Sequence, residues 1–279
     1  MKSGLEIKRL NPSIGAVITG VELRKCDAAM AADIRAVLLE HLVVFFRDQS
    51  LDEAELMALG RRFGDLFVHP NLKTDSPNPE VVYIRRKPGD KSIIGAEWHT
   101  DTTCMAEPPM GAILHAEQVP PTGGDTVFAN QYLAYESLSG AMQSMLSGLR
   151  AVHNDTRVAG PQANLNAKRS TATREDDAWQ KTENIHPVVR THPETGRKGL
   201  FINIAYTRRF EDMTEEESAP LLSYLYKHAV RPELSCRFSW RPGSVAFWDN
   251  RCVKHLAIND ITTHERVMKR VQIAGQRPQ

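Results

Sequence analysis

The sequence has little of what marks secreted, membrane or nucleic-acid-binding proteins. It holds 4 cysteines in 279 residues and no Cys-x-x-Cys pair, so neither a disulfide scaffold nor a zinc finger is expected. Its 35 lysines and arginines balance 34 aspartates and glutamates, and a net charge of +1 gives no electrostatic reason to bind nucleic acid. The stretch MKSGLEIKRLNPSIGAVITG has neither the uninterrupted apolar run nor the small-residue cleavage site typical of a signal peptide, and no later stretch is apolar enough to cross a bilayer. We therefore expect a cytoplasmic protein without nucleic-acid or membrane partners.

What remains is the composition of an ordinary globular protein, with 41% hydrophobic and 25% charged residues. After Ala28, apolar residues at near-helical spacing run into LVVFF, which predicts a helix feeding a buried strand. Further helices are predicted over 52–63, over 132–149 on the surface, and from the capping box Thr214-x-x-Glu217 to about His228.

Short β-rich runs separated by Gly and Pro turns make up much of the remaining chain. They include VVYIRR, MGAILHAEQV, TVFAN, SVAFWDN and RVMKRVQIAG. Many short strands of this kind predict a barrel or jelly roll with helices packed outside. The stretch 153–184 is polar with little periodicity, as in lids and disordered insertions. We expect one domain over 1–279 with a lid insertion at about 153–184.

Three residues have the side chains of a metal site. His99 and Asp101 stand two apart in AEWHTDTTCM, so an extended backbone over 97–103 would project both from one face. His255 follows the apolar run in FWDNRCVKH. Two imidazoles and one carboxylate make a facial triad that leaves three positions open on octahedral Fe(II). Because His-x-Asp also occurs by chance, the spacing alone leaves two ordinary loop polar groups as the alternative.

The last predicted strand carries two arginines. Arg266 and Arg270 are four apart in ERVMKRVQIAG, so on a strand they share a face with Met268. Two guanidiniums inside a barrel need anions, because an unpaired buried charge is costly. The alternative is a pair of solvated arginines on an edge strand.

Motifs spread along the chain resemble a known family. WHTDTT, GGDTVFAN, HPVVRTHPETGRKGLFIN, WRPGSVAFWDNRCVKH and ERVMKRVQIAG, in this order, are similar to Fe(II)/2-oxoglutarate-dependent dioxygenases of the taurine dioxygenase and phenoxyalkanoate herbicide dioxygenase group. The resemblance implies a mainly β fold with flanking helices, a double-stranded β-helix or jelly roll. It also implies a homo-oligomer, either a dimer or a tetramer.

The resemblance implies a cofactor site. Fe(II) would be bound by His99, Asp101 and His255. The co-substrate 2-oxoglutarate would chelate the iron, with its far carboxylate at Arg266 and Thr126 and with Trp248 as a wall of the pocket. A guanidinium and a hydroxyl also suit a planar carboxylate on chemical grounds. Trp248 reads equally well as barrel core.

The resemblance also implies an anion site for the substrate. Its head group would meet Arg270, His69 and the backbone N–H of Thr102, and these groups suit a sulfonate, a sulfate ester or a carboxylate. Taurine enzymes surround the substrate ammonium with polar groups, where this sequence has Ile94, Gly95 and Leu72. The tail pocket is therefore expected to be less polar, and His69 taken alone could be an ordinary loop histidine.

The implied reaction is hydroxylation of a small anion at the carbon next to its heteroatom, with O₂ and 2-oxoglutarate giving succinate and CO₂. One alternative is a taurine dioxygenase proper, which releases sulfite and aminoacetaldehyde. Another is a non-oxidative metal-binding jelly-roll protein, since fold does not imply function. Arg266 and Thr126 argue against it, because such a protein has no use for a 2-oxoglutarate clamp. A structural protein with a decayed site is the third.

Overall fold

The structure is a computed structural model that describes residues 5–159, 168–171, 179, 181–261 and 263–279. The strands are β1 (Glu6–Arg9), β2 (Ala16–Thr19), β3 (Val43–Phe46), β4 (Leu66–Phe67), β5 (Val82–Arg86), β6 (Gly111–Gln118), β7 (Thr126–Asn130), β8 (Arg150–Asn154), β9 (Glu183–Pro187), β10 (Val189–Thr191), β11 (Lys198–Leu200), β12 (Thr207–Phe210), β13 (Ser235–Phe238), β14 (Val245–Asp249), β15 (Val253–Ala257) and β16 (Arg266–Ile273). The helices are α1 (Ala28–His41), α2 (Glu53–Arg61), α3 (Gln131–Glu136), α4 (Gly140–Ser147) and α5 (Glu215–His228). None of these helices combines the length and apolarity needed to cross a membrane.

Two mainly antiparallel sheets face each other. The larger has the strand order β1-β2-β3-β14-β6-β16-β4, with β5 also paired to β16, and the smaller has the order β13-β7-β15. Aromatic side chains fill the space between them. Phe45 of β3 stacks on Phe238 of β13 with ring centres 4.0 Å apart, and its ring centre lies 5.5 Å from that of Phe128 of β7. This arrangement is the predicted jelly roll with flanking helices.

Strand β16 is buried along its whole length and separates two cores. Met268 packs between the sheets, whereas Val271 and Ile273 pack under the helices on the outer face of the larger sheet. Because side chains alternate along a strand, Arg266 and Arg270 lie on the inner face with Met268, as predicted. Their exposed fractions are 7% and 3%, so they are buried rather than solvated.

Helices α1 and α2 cover the outer face of the larger sheet. The Asp52 side chain accepts a hydrogen bond from the Glu55 backbone, and the Glu55 side chain accepts one from the Asp52 backbone, which forms a capping box. Leu56 and Leu59 of α2 are buried in the core beneath. Helix α5 begins in the same way, with Thr214 as its cap, so these predicted helices are confirmed.

The prediction of one surface helix over 132–149 is wrong. The chain forms α3 and α4 there, because the Ser139 side chain accepts a hydrogen bond from the Met142 N–H and begins a second helix. Tyr132 and Tyr135 of α3 are also buried rather than on the surface.

The polar segment 153–184 begins within β8 and ends within β9, which pair with each other beside β12. Residues 160–167, 172–178 and 180 lie outside the described residues, and so does that part of the predicted lid.

Candidate metal centre and substrate cavity

Strand β15 brings His255 beside His99. The two backbones form an isolated antiparallel bridge in which each residue donates its N–H to the other's carbonyl, at 3.0 and 2.8 Å. The imidazole ring centres are 4.0 Å apart. A pair of backbone hydrogen bonds therefore fixes the spacing of the two rings.

Asp101 reaches the histidines from a turn and not from a strand. The chain is bridged at His99 but turns at Asp101, and Thr102 has φ +52°, so the backbone over 97–103 is not extended throughout and side-chain alternation does not orient Asp101. The Asp101 N–H donates to Asn250 Oδ1 at 2.8 Å, and Asn250 Nδ2 donates back to the Asp101 carbonyl at 3.1 Å. This reciprocal pair stands where the strand register was expected to orient Asp101.

The three side chains fit a small divalent cation. Asp101 Oδ1 lies 3.5 Å from His99 Nε2 and 3.8 Å from His255 Nε2. First-row metals bind such atoms at about 2.0–2.2 Å, which puts neighbouring ligand atoms about 3 Å apart. The ligand atoms lie within 4.8 Å of one another, and Asp101 Oδ2 is buried without a hydrogen-bond partner among the described residues. The cluster is thus slightly open for a metal and has a free ligand atom.

The protonation states suit metal binding. His99 Nδ1 lies 2.8 Å from the Glu97 carbonyl, which only accepts, so Nδ1 carries the proton and Nε2 keeps its lone pair. Burial, with His99 adjacent, lowers the pKa of His255 well below its usual value, so that imidazole is neutral. Burial opposes ionisation of Asp101, but the Arg270 guanidinium, 3.3 Å away, together with His255 and His99 outweighs it and holds the Asp101 pKa well below its usual range.

A cavity of about 280 Å³ opens over this cluster. His99 and Asp101 line it together with both side chains expected to bind the substrate anion, Arg270 and His69. Its other lining residues are Asn71, Leu72, Ser92, Ile93, Ile94, Gly95, Ala96, Glu97, Arg157, Val158, Arg169, Ala205 and Tyr206. The structure thus brings two of the three predicted metal ligands, both anion anchors and the tail-pocket residues around a single cavity.

The anion anchors keep donors for a ligand. The His69 Nδ1 accepts a hydrogen bond from the Asn71 N–H at 3.2 Å, so the neutral ring carries its proton on Nε2. Burial, and then the Arg270 charge, lower the pKa of His69 to about 3. Arg270 Nη1 donates to Asp101, whereas its buried Nε has no partner among the described residues. Thr102 is buried, and its side chain does not line the cavity.

Trp240 contacts both Thr126 and Arg266. Trp240 Nε1 donates to Thr126 Oγ1 at 3.0 Å, and the Arg266 guanidinium carbon is 5.8 Å from the centre of the Trp240 ring. Arg266 is buried, and its Nε has no partner among the described residues. A guanidinium beside a hydroxyl fits a carboxylate.

The space next to Arg266 is small. It measures about 10 Å³, room for about one water molecule. Ile93 and Ile94 line both this space and the 280 Å³ cavity. A carboxylate tail needs more room than this space has, since the space holds about one water molecule.

Trp248 packs against His255 and does not line the cavity. Its ring centre lies 4.7 Å from that of His255 and 5.8 Å from that of Phe128, and it lines neither cavity. Sequence reasoning missed Trp240, Asn250 and Tyr206. Asn250 carries a recognisable signal, since it directly follows the apolar strand β14 and precedes the segment with His255. The other two become neighbours of the site only through the fold.

Comparisons with known proteins agree with this geometry. Residues 6–272 match the family described as taurine catabolism dioxygenase TauD, TfdA family. An alkylsulfatase of Acinetobacter baylyi is 33% identical over 275 residues, which cover 98% of this chain and 86% of that protein. An (S)-phenoxypropionate/alpha-ketoglutarate-dioxygenase of Sphingobium herbicidovorans is 33% identical over 288 residues, with 99% and 96% covered. The crystal structure of a taurine dioxygenase from Burkholderia xenovorans superposes with a TM-score of 0.83 at 36% identity, with 99% and 93% covered.

Proposed function

The chain belongs to the taurine catabolism dioxygenase TauD, TfdA family, and from that membership we propose that it hydroxylates a small organic anion at an Fe(II) centre bound by His99, Asp101 and His255. The enzyme is a 2-oxoglutarate-dependent dioxygenase, as its relatives are named. The observation that supports the site most strongly is the cavity itself. It is lined by two of the proposed metal ligands and by the anion anchors Arg270 and His69.

Iron with 2-oxoglutarate and O₂ supplies the oxidising chemistry when bound, and the co-substrate leaves as succinate and CO₂. The protein binds and orients. Arg266 and Thr126 hold the far carboxylate of 2-oxoglutarate, and Trp240 fixes Thr126 through its indole N–H. Asn250 forms two hydrogen bonds to the Asp101 backbone and so orients the Asp101 carboxylate toward His99 and His255.

The substrate is proposed to place its anionic head at Arg270 and His69 and its tail along Leu72, Ile94 and Gly95. Sulfonates, sulfate esters and aryloxyalkanoates have this form, and the named relatives include an alkylsulfatase and a phenoxypropionate dioxygenase. Hydroxylation at the carbon next to the heteroatom gives an unstable product. Its collapse yields an aldehyde or keto acid with sulfite, sulfate or a phenol.

The described part of the insertion 153–184 supports the proposal that this segment covers the cavity as a lid. Arg157, Val158 and Arg169 line the cavity, and Arg157 Nη2 donates to Glu97 at 3.0 Å. The Asp155 carboxylate accepts from Asn71 Nδ2 and from the Thr182 N–H, which ties the loop of His69 to both ends of the insertion. A single domain over 1–279, a homo-oligomer and a cytoplasmic location remain predictions.

The test is a panel assay of succinate release with Fe(II), ascorbate, O₂ and 2-oxoglutarate. Hexyl sulfate, hexanesulfonate, a phenoxypropionate and taurine serve as prime substrates. We expect the first three to stimulate succinate release more than taurine does, because the tail pocket offers an ammonium little. A clear preference for taurine would identify a taurine dioxygenase proper, and no stimulation by any anion would refute the proposed function.

A further inference from the structure

Strand β5 brings another arginine to the inner face of the larger sheet. In the register of β5 and β16, Arg86 lies directly opposite Arg266. Two residues earlier on β5, Ile84 lies opposite Met268, and both pack in the core between the sheets. Because side chains alternate along a strand, Arg86 lies on this inner face too. Residues directly opposite each other on one face have Cβ atoms about 4.5–5.5 Å apart, so Arg86 and Arg266 are neighbours.

The two arginines border the same small space. Each is 7% exposed, and both line the space of about 10 Å³ beside the substrate cavity. The Arg86 guanidinium donates through Nη1 to the Ile261 carbonyl, and through Nη2 to the Asp90 carbonyl at 3.3 Å. Its Nε, like that of Arg266, is buried without a partner among the described residues. Both side chains therefore keep a donor for a ligand.

This pair of arginines has no counter-charge in the described part of the chain. Neither Arg86 nor Arg266 forms an ion pair there. Asp125, the residue before Thr126, pairs with Arg237 at 2.6 Å instead. Like charges directly opposite each other on a sheet repel, and a buried charge without a counter-ion is costly. An anion bound at the two guanidiniums would remove both costs.

We propose that Arg86 is a second guanidinium of the 2-oxoglutarate site and donates, together with Arg266, to the far carboxylate of the co-substrate. The inference rests on the proposed function, since it needs that carboxylate at Arg266. An ionised carboxylate has about four lone-pair sites, which is enough for two guanidiniums and the Thr126 hydroxyl. The space is smaller than a carboxylate, so the side chains that line it have to shift when one enters.

The far carboxylate distinguishes 2-oxoglutarate from 2-oxo acids that carry only an alkyl tail. A site with buried donors for this group binds 2-oxoglutarate well and rejects an acid that leaves those donors unpaired. Arg86 thereby contributes to the choice of co-substrate.

The experiment measures binding rather than turnover. The Mn(II)-loaded wild type and Arg86→Met are titrated in a calorimeter with 2-oxoglutarate and with 2-oxobutyrate, which has the same keto acid but no far carboxylate. In Arg86→Met we expect the Kd of 2-oxoglutarate to rise by about 10- to 100-fold, because hydrogen bonding between charged groups is lost. The Kd of 2-oxobutyrate should change by less than about threefold. Neither Kd depends on the folded fraction of the preparation.

Arg85→Met is the matched control. It removes the same charge one residue earlier, but the Arg85 guanidinium lies 4.5 Å from the centre of the Tyr83 ring and pairs with Asp75, on the opposite face of β5. Both dissociation constants should therefore stay within about twofold of the wild type. Arg86→Lys keeps the charge and loses the planar fork, so its Kd for 2-oxoglutarate should lie between those of the wild type and Arg86→Met.

Two results would overturn the inference. One is a Kd for 2-oxoglutarate in Arg86→Met within about twofold of the wild type. The other is an equal weakening of both ligands, which would give Arg86 a structural role alone. If the wild type binds 2-oxobutyrate as tightly as 2-oxoglutarate, the proposed function itself fails and the inference fails with it.

Discussion

The residues His99, Asp101 and His255 form one buried histidine–aspartate cluster, and His192, Asp249 and Cys252 form another. Both bring potential ligand atoms within 4.8 Å of one another. Their aspartates differ. Asp249 accepts from Arg251 Nε at 2.8 Å, from Arg251 Nη2 at 2.6 Å and from His192 Nε2 at 3.1 Å. Asp101 keeps one oxygen without a partner among the described residues.

The histidines differ in which nitrogen is occupied. His192 Nδ1 accepts hydrogen bonds from the N–H groups of Glu194 and Thr195, both at 3.2 Å. Its proton is therefore on Nε2, which donates a hydrogen bond to Asp249. His99 is the reverse, with its proton on Nδ1 and a free Nε2. Burial also raises the pKa of the Cys252 thiol, and a metal needs the thiolate. Closely spaced histidine, aspartate and cysteine side chains are therefore a poor sign of a metal site. Ligand atoms with unused lone pairs next to a cavity are a better sign.

The largest expected effect comes from Asp101→Ala. Loss of a ligand should lower succinate formation by more than about 100-fold, beyond the 10- to 100-fold cost of losing a group behind the ligands. Bound metal per folded protein, measured after dialysis against Fe(II) or Mn(II), should fall with it. Cys252→Ala is the control from the other cluster and should keep both values. Loss of metal from Cys252→Ala alone would reverse the assignment.

The second prediction concerns a substitution that disrupts the cluster of His192, Asp249 and Cys252. Asp249→Asn should lower the free energy of unfolding by about 3–5 kcal/mol, because it leaves the Arg251 guanidinium buried without its carboxylate. Urea unfolding measures this loss. Metal bound per folded molecule should not change. A variant as stable as the wild type would show that the cluster contributes no structural support.

The buried arginines near the two clusters differ in the same way, in whether their donors have partners. Arg251 donates through Nε and Nη2 to Asp249 and through Nη1 to Glu194, whereas Arg266 and Arg270 each keep a buried Nε without a partner among the described residues. Arg266→Ala should therefore raise KM for 2-oxoglutarate, by about 2–4 kcal/mol of lost binding free energy. Arg270→Ala should instead raise KM for the prime substrate. The opposite division in steady-state titrations would refute this assignment of the two anion sites.

The smallest expected effect is on acid stability. Burial opposes ionisation of Asp249, but Arg251 and His192 outweigh it and hold its pKa well below its usual range. A carboxylate with a lowered folded pKa adds stability above its unfolded pKa of about 3.9 and loses it as pH falls through the folded value. Urea midpoints between about pH 5 and pH 2 should thus fall more steeply in the wild type than in Asp249→Asn. Equal slopes are the result this account does not allow.

Much of the barrel could be predicted from the sequence, because side-chain alternation and turn residues are local signals. The shared face of Arg266, Met268 and Arg270 is an example. The orientation of Asp101 could not be predicted, since it depends on a turn with positive φ at Thr102 and on hydrogen bonds from Asn250, which follows the distant strand β14, to the Asp101 backbone.

The roles of the two tryptophans also could not be predicted from the sequence. Trp240 and Trp248 are both buried aromatic residues near strands of the closing third of the chain. Which of them neighbours Arg266 depends on how the two sheets face each other, and that is a property of the whole fold. The helix break at Ser139 was also hidden, because the apolar spacing continues across it while a single serine side chain starts the new helix.

The central claim is that the metal binds at His99, Asp101 and His255 and leaves the Asp249 cluster empty. Anomalous diffraction from crystals soaked in Mn(II), recorded at a wavelength where manganese scatters anomalously, tests it most directly. We predict a peak among His99 Nε2, the Asp101 carboxylate and His255 Nε2, and none near Asp249. A peak between His192 and Cys252 with none at His99 would contradict the account.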